Sequence, residues 1–271
     1  MKNNTFDIKR FALLTKRDVM QDWKKYALQV AALLGIMLSF PMYYTYTKYD
    51  SMTRLVKRDT SDFLDQLNFD LLSMATILFV CAFLIYTSNM MSVISDKRKR
   101  IDYLLLPCSS LEKYLSRLLI HTIGFVAVFF ICLFIADIVR MGIFSVAYPA
   151  LGVKALDLGA LTNNRMFGDT KIFTILSTVL LSVVAFFTLG STFWQKYAVV
   201  KNVVALTVII FLYIGFNRVL IGMVKGRTLN ILKLTNNETT ILIIAIFGCL
   251  ALFFWILGYF RFKETELTNR W

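Results

Sequence analysis

Five stretches of this chain, residues 26–47, 71–95, 118–136, 172–194 and 239–260, contain no Asp, Glu, Lys or Arg. Each approaches or exceeds the roughly 20 residues that a helix needs to cross about 30 Å of hydrocarbon. A sixth stretch, 202–217, is uncharged for 16 residues before Arg218, and its apolar pattern resumes through Val224. Long side chains near a helix end reach the headgroups, so Arg218 is compatible with a span of about 200–222. With 58% hydrophobic residues and a mean hydropathy of +0.64, the chain carries more apolar material than a soluble globule of 271 residues hides. The expected fold is all-α, an integral membrane protein with spans at about 26–47, 71–95, 118–138, 172–194, 200–222 and 239–260. Residues 1–25 precede this domain and 261–271 follow it.

Six spans put both termini on one side, and charge says which. The side holding the termini, residues 96–117 and the turn near 196–201 carries 18 of the 30 Lys and Arg residues with eight acids. The opposite side carries 12 cations with nine acids, spread over three loops. The cation-rich side is expected to be cytoplasmic. The pI of about 9.6 then reflects topology and lipid headgroups, and no nucleic-acid partner is expected. Tyr43, Tyr44, Tyr46 and Tyr49 crowd one end of the first span and Trp23 and Tyr26 the other, as interfacial rings do.

Residues 6–23 read as a helix with Ala12, Leu13, Val19, Met20 and Trp23 on one side, although Lys9 and Lys16 share that side and Phe11 and Leu14 fall on the charged one. The expectation is a helix lying in the cytoplasmic interface with snorkelling lysines; the alternative is a basic leader that only orients the first span. No small-residue cleavage site follows a short apolar core, so no signal peptide is expected to be removed. Residues 48–69 alternate acids and bases like a solvated helical loop, and 141–170 suggests short turns and a surface helix. Cys81, Cys108, Cys132 and Cys249 show no C-x-x-C spacing, so neither a disulfide nor a metal site is expected.

One polar stretch interrupts the pattern with detail that a plain loop does not need. Lys97-Arg98-Lys99-Arg100 leads into a short helix with Ile101, Leu104 and Leu105 on one face. That helix must end near Leu106, because Pro107 disfavours helical geometry in the residue before it. Ser109 and Glu112 then form an S-x-x-E capping box, in which each side chain bonds the other's backbone amide. The helix they start places Leu111, Tyr114, Leu115, Leu118 and Leu119 on one face and Lys113, Ser116 and Arg117 on the other. On spacing alone the result is either an elbow that transmits movement or a well-capped return into the bilayer.

The stretch KRKRIDYLLLPCSSLEKYLSRLL resembles the segment between spans two and three of type-2 ABC exporter permeases. There a basic helical lead-in precedes Leu-x-x-Pro, a small residue and Leu-Glu. The leader RFALLTKRDVMQDWKK, the six spans and the closing WILGYFRFKETEL are also similar to small members of that family from Bacteroidetes-like bacteria. The resemblance implies a bacterial inner-membrane permease with a cytoplasmic coupling helix within 97–113, gripped by a separate ABC ATPase subunit. It implies a homodimer or a heterodimer with a second permease, surrounded by membrane lipids. The chain contains no G-x-x-x-x-G-K-[ST], so ATP and Mg belong on the partner and no cofactor is expected here. Arg98, Arg100, Leu106, Pro107, Glu112 and Lys113 are the coupling residues expected: Leu106, Pro107 and Glu112 for elbow geometry, the cations for partner contact. Family members often carry re-entrant helices between spans five and six, for which 225–238 is short and polar.

Two rival classes find little purchase. A membrane enzyme needs clustered catalytic groups, whereas the single histidine, His121, has no acid at helical spacing within the bilayer, and no H-E-x-x-H or G-x-S-x-G occurs. Ion-coupled transport favours an acid near the midplane. Asp137 instead lies roughly 29 Å up span three and Arg218 roughly 24 Å up span five, at about 1.5 Å per residue. The two either pair near the outer mouth or reach headgroups separately. Ser88, Asn89, Asn202 and Asn217 either line a polar seam or bond between helices. The expected function is export of an amphipathic or lipid-like substrate, and the alternative is a membrane scaffold or sensor that binds a cytoplasmic protein.

Overall fold

The computed structural model describes residues 6–54, 60–95, 97–149, 152–161, 170–194, 196–224 and 236–268. Among these the chain is all-α, with no strand. Its α-helices are α1 (Ile8–Gln21), α2 (Trp23–Arg54), α3 (Thr60–Ser88), α4 (Lys97–Leu104), α5 (Ser110–Leu119), α6 (Phe125–Ala147), α7 (Thr170–Phe193), α8 (Ala198–Val224) and α9 (Asn236–Thr268). A π-helical turn, Ile120–Gly124, joins α5 to α6. Six segments are long and apolar enough to cross a membrane: Trp23–Met52, Ser61–Ser88, Ser110–Ala147, Thr170–Phe193, Ala198–Gly215 and Glu238–Thr265.

These bounds revise the sequence reading in three places. Span two ends at Ser88, seven residues before the uncharged run does. Asn89 turns its amide onto the Ile85 carbonyl at 2.9 Å, and the backbone tightens into a 3-10 turn over Ser92–Ser95 that tucks Met90, Met91, Val93 and Ile94 inside. Hydropathy reads these buried residues as span, but they pack a turn. The charged residues after 47 extend α2 to Arg54, and α3 begins at Thr60, while 55–59 lie outside the described residues. Likewise α6 runs on to Ala147, and 152–157 follow without regular secondary structure. The 225–235 loop lies outside the described residues.

The helices sort into two compact units. The N-terminal unit joins Thr5–Phe83 with Leu115–Phe173. Within it Phe79, Phe83, Phe125 and Phe129 interleave, with Phe83 and Phe125 stacked at 5.3 Å and Phe79 edge-on to Phe129 at 4.9 Å. Lipid is as apolar as these rings, so their packing geometry, rather than escape from water, holds α3 to α6. At the far end of this unit Tyr49, Met52, Phe63, Leu67, Leu71 and Phe144 form a small core. Tyr49 donates its hydroxyl to the Gly152 carbonyl at 2.8 Å. Gly152 has φ of 68°, a left-handed conformation that glycine adopts without strain.

The C-terminal unit joins Leu84–Tyr114 with Thr174–Trp271. Small residues line the inner face of α7, and Ser182, Thr188, Ser191 and Thr192 return their hydroxyls to carbonyls one turn back. That leaves a smooth face for close helix approach. Asn202 of α8 lies fully buried against it, donating to the Ser88 hydroxyl at 2.8 Å and the Phe187 carbonyl at 3.1 Å. Of the seam residues, Ser88 and Asn202 thus bond between helices; the side chain of Asn217 lies outside the described residues. Gly190 faces the Asn202 amide so closely that a Cβ there would overlap its oxygen.

Candidate functional site, a capped elbow between spans two and three

The chain from Lys97 to Tyr114 folds as the sequence signals direct. Helix α4 stops at Leu104, two residues ahead of the position that Pro107 restricts. Across the turn the Ser109 amide donates to Glu112 Oε2 at 2.9 Å and the Glu112 amide to Ser109 Oγ at 3.2 Å, completing the capping box. Two further bonds lock the helices together: Tyr103 Oη donates to the Lys113 carbonyl at 2.8 Å, and Lys113 Nζ to the Leu104 carbonyl at 3.0 Å. An ammonium on the last carbonyls of a helix satisfies an orphan acceptor and meets the negative end of the dipole. The elbow is therefore braced from within by Glu112, 0% exposed, and Lys113, 2% exposed. Outside, Ile101, Leu105, Pro107 and Leu111 project, Leu105 at 76% exposure, next to exposed Lys99 and half-exposed Arg100.

Helix α5 thus wears its amphipathicity inverted. The face that carries Glu112, Lys113, Ser116 and Arg117 is buried, while Leu111 is exposed and Leu115, Leu118 and Leu119 are half-exposed. Helix α1 has mixed faces: Leu14 and Asp18 turn inward, and Leu13, Val19 and Met20 face out with Lys9 and Lys16. Where the surroundings are lipid and not water, apolar side chains outside and polar ones inside is the stable arrangement.

The inward polar faces meet within the N-terminal unit. Arg117 Nε lies 3.2 Å from Asp18 Oδ2, and its Nη1 lies 3.5 Å from both Asp22 Oδ2 and Tyr26 Oη. Ser116 Oγ donates to Asp18 Oδ2 at 3.3 Å and receives Thr15 Oγ1 at 3.2 Å. Asp18 is 0% exposed and Arg117 3%. Burial pushes the Asp18 carboxyl above its ordinary 3.8, and the Arg117 guanidinium opposes that shift. One turn on, the π segment is stabilised by its own side chains: His121 Nδ1 lies 3.0 Å from the Arg117 carbonyl, and Thr122 Oγ1 donates to the Leu118 carbonyl at 2.6 Å. A π turn often marks a functional position in a helix.

The sequence-predicted residues separate into distinct places. Leu106 is half-buried and Pro107 exposed in the turn; Glu112 braces the elbow, as its capping role requires. Lys113 was expected at a partner surface, but it is enclosed and serves the brace. Arg100 flanks the projecting apolar residues, and the side chain of Arg98 lies outside the described residues. Asp137 accepts Arg140 Nη2 at 2.6 Å, Arg140 Nε at 2.9 Å and the Leu156 amide at 2.9 Å within the N-terminal unit. Arg218 stands exposed on α8 in the C-terminal unit. Sequence reasoning missed the Asp18–Arg117 pair; its signal was the pair of acids four residues apart, Asp18 near the end of α1 and Asp22 at its C-cap. Comparison with protein-family models, with curated proteins and with solved structures finds no match for this chain.

Proposed function

We propose that this chain is the membrane-spanning permease subunit of an ATP-driven exporter of the type-2 ABC kind, with both termini and the elbow in the bacterial cytoplasm. It works as a homodimer or beside a second permease, and moves an amphipathic or lipid-like cargo. A separate ATPase subunit grips the elbow and supplies ATP hydrolysis. The observation that carries this reading is the build of 97–114: a folded, internally braced projection whose outer surface shows Ile101, Leu105, Pro107 and Leu111 beside the charged Lys99, Arg100 and Asp102. A loop that merely returns the chain to the bilayer has no use for a buried lysine brace and outward leucines. A lever pressed into a groove needs both, because a soft loop would absorb the push and a polar tip would bury little apolar surface on docking.

The test is co-purification of this chain with an ABC ATPase subunit expressed alongside it, together with substrate-stimulated ATP hydrolysis by the complex. Leu105→Asp and Ile101→Asp replace exposed apolar side chains and are expected to release the ATPase while leaving the melting temperature of the permease unchanged. Charge reversal at Arg100 is expected to weaken the complex in a salt-dependent way. Undiminished co-purification of both aspartate variants would refute the docking face. Labelling of Cys108 by a membrane-impermeant maleimide added to intact cells would refute its cytoplasmic placement.

A further inference from the structure

We propose that a cavity of ≈ 370 Å³ in the N-terminal unit is a binding site for an ester-linked glycerolipid, whose acyl chain fills the cavity and whose ester carbonyl accepts a hydrogen bond from Arg140. This goes beyond the transport reading and does not rest on it. The cavity is lined by Met37, Leu71, Leu133 and Ala136, and Asp137 and Arg140 are its charged lining residues. Its volume lies within the roughly 300–1,000 Å³ of small-molecule pockets. Phe40, Ile77 and Cys81 on its rim are exposed, so the opening faces sideways, into whatever surrounds the spans. Around a membrane-spanning helix that medium is hydrocarbon, which fixes the apolar part of the occupant as an acyl chain.

Arg140 fixes the other part. It is 3% exposed, and its Nε and Nη2 are taken by Asp137 and the Lys154 carbonyl, yet Nη1 is buried with no partner among the described residues. A buried donor without an acceptor is costly, so an oxygen brought to it is gained at more than the usual return. Asp137 already balances the charge of Arg140, and Asp65 that of neighbouring Lys154 at 2.7 Å, so the position calls for a neutral acceptor rather than an anion. Depth agrees. The uncharged run 118–136 rises roughly 28 Å at 1.5 Å per residue, about the hydrocarbon thickness, which sets Arg140 at the level of the glycerol esters of the far leaflet.

The experiment compares diester and diether phosphatidylcholine of equal chain length, which share chains and headgroup but differ in the carbonyls. Each is added to the purified full chain in detergent, and retained lipid is counted by native mass spectrometry. Wild type is expected to retain the diester roughly three- to tenfold over the diether, the range that one net hydrogen bond spans. Arg140→Lys keeps a cation beside Asp137 but not the guanidinium fork, and is expected to remove the preference while chain binding persists. Ala136→Phe fills the cavity and is expected to lower retention of both lipids; Cys81→Phe, at the rim, serves where that variant fails to fold. Equal retention of diester and diether by wild type overturns the carbonyl assignment, and undiminished retention by folded cavity-filled protein overturns the site.

Discussion

Breaking the buried pair of α1 and α5 one partner at a time separates three explanations of why it is there. Arg117 is enclosed and cannot shed its proton, so Asp18→Asn leaves a charged guanidinium whose remaining carboxylate, Asp22, stands at 3.5 Å. Removing one partner of a buried pair costs about 3–5 kcal/mol, and the surviving Asp22 puts the expectation near the lower end. Soluble domains of comparable size move about 2–4 °C per kcal/mol, which sets an expected drop in melting temperature of about 6–12 °C in detergent. Arg117→Met leaves instead two carboxylates, one of which can neutralise itself. Burial already holds the Asp18 carboxyl above its ordinary 3.8, and losing Arg117 removes the principal influence that lowered it. A group whose folded-state pKa is raised favours the folded state as pH falls, so the variant is expected to recover stability on acidification from neutrality towards 3.8. Asp18→Asn has no proton to gain there and recovers nothing by this route. The double variant, with neither charge, is expected to be more stable than the sum of the single losses allows. Thermal unfolding followed by tryptophan fluorescence across a pH series measures all three. Additive single effects, or an Arg117→Met variant that keeps losing stability as pH falls towards 3.8, would refute the claim that these groups are energetically coupled.

Further outcomes follow from the same geometry. Ser109→Ala removes half of the capping box and is expected to cost about 1 kcal/mol, read as a lower melting temperature and faster exchange of the Glu112 amide hydrogen. Gly190→Ala drives a methyl into the Asn202 amide and is expected to destabilise by more than Asn202→Ala does alone; Gly190→Ala combined with Asn202→Ala is expected to regain part of the loss. Gly258→Ala brings a Cβ to 2.7 Å from the Tyr114 hydroxyl, and Tyr114→Phe is expected to relieve it, both read by thermal unfolding.

What was legible in the sequence was whatever depends on a single helix. The absence of charge over about 20 residues reports a span directly, and the capping box reports a helix start, because each is satisfied locally. Span two shows the limit. Met90, Met91, Val93 and Ile94 are apolar and buried in a turn, and hydropathy does not distinguish burial in protein from immersion in lipid. The faces of α1 and α5 show a second limit. Their periodicity was visible, but which face turned inward depended on the medium outside, and that medium reverses the soluble-protein rule. Asp18 and Arg117 stand 99 positions apart, so their pairing needed the packing of two helices to become apparent.

Under the proposed function, the distribution of stiffness along span three decides where a push on the elbow would be absorbed. Below, α4 and the start of α5 are tied by the capping box and by the Tyr103 and Lys113 bonds. The next turn is held by the buried Arg117 network, and above Phe125 the helix is keyed to α3 by interleaved phenylalanines. Between them lie Ile120–Gly124, five residues in π geometry, with Ile123 exposed and the freed carbonyls met by short side-chain bonds. Ile120 and His121 are buried there, so it is the poorer backbone hydrogen-bond geometry of the π turn that makes this the section expected to open first. Hydrogen exchange on the resting chain is therefore expected to show the amides of 120–125 opening before those of 112–117 and 126–135. Thr122→Val, which keeps the shape and deletes the hydroxyl that meets the Leu118 carbonyl, is expected to speed that opening further. Protection of 120–125 equal to that of both flanks would mean that span three moves as one rod, and a push on the elbow would then have to be taken up beyond Phe125.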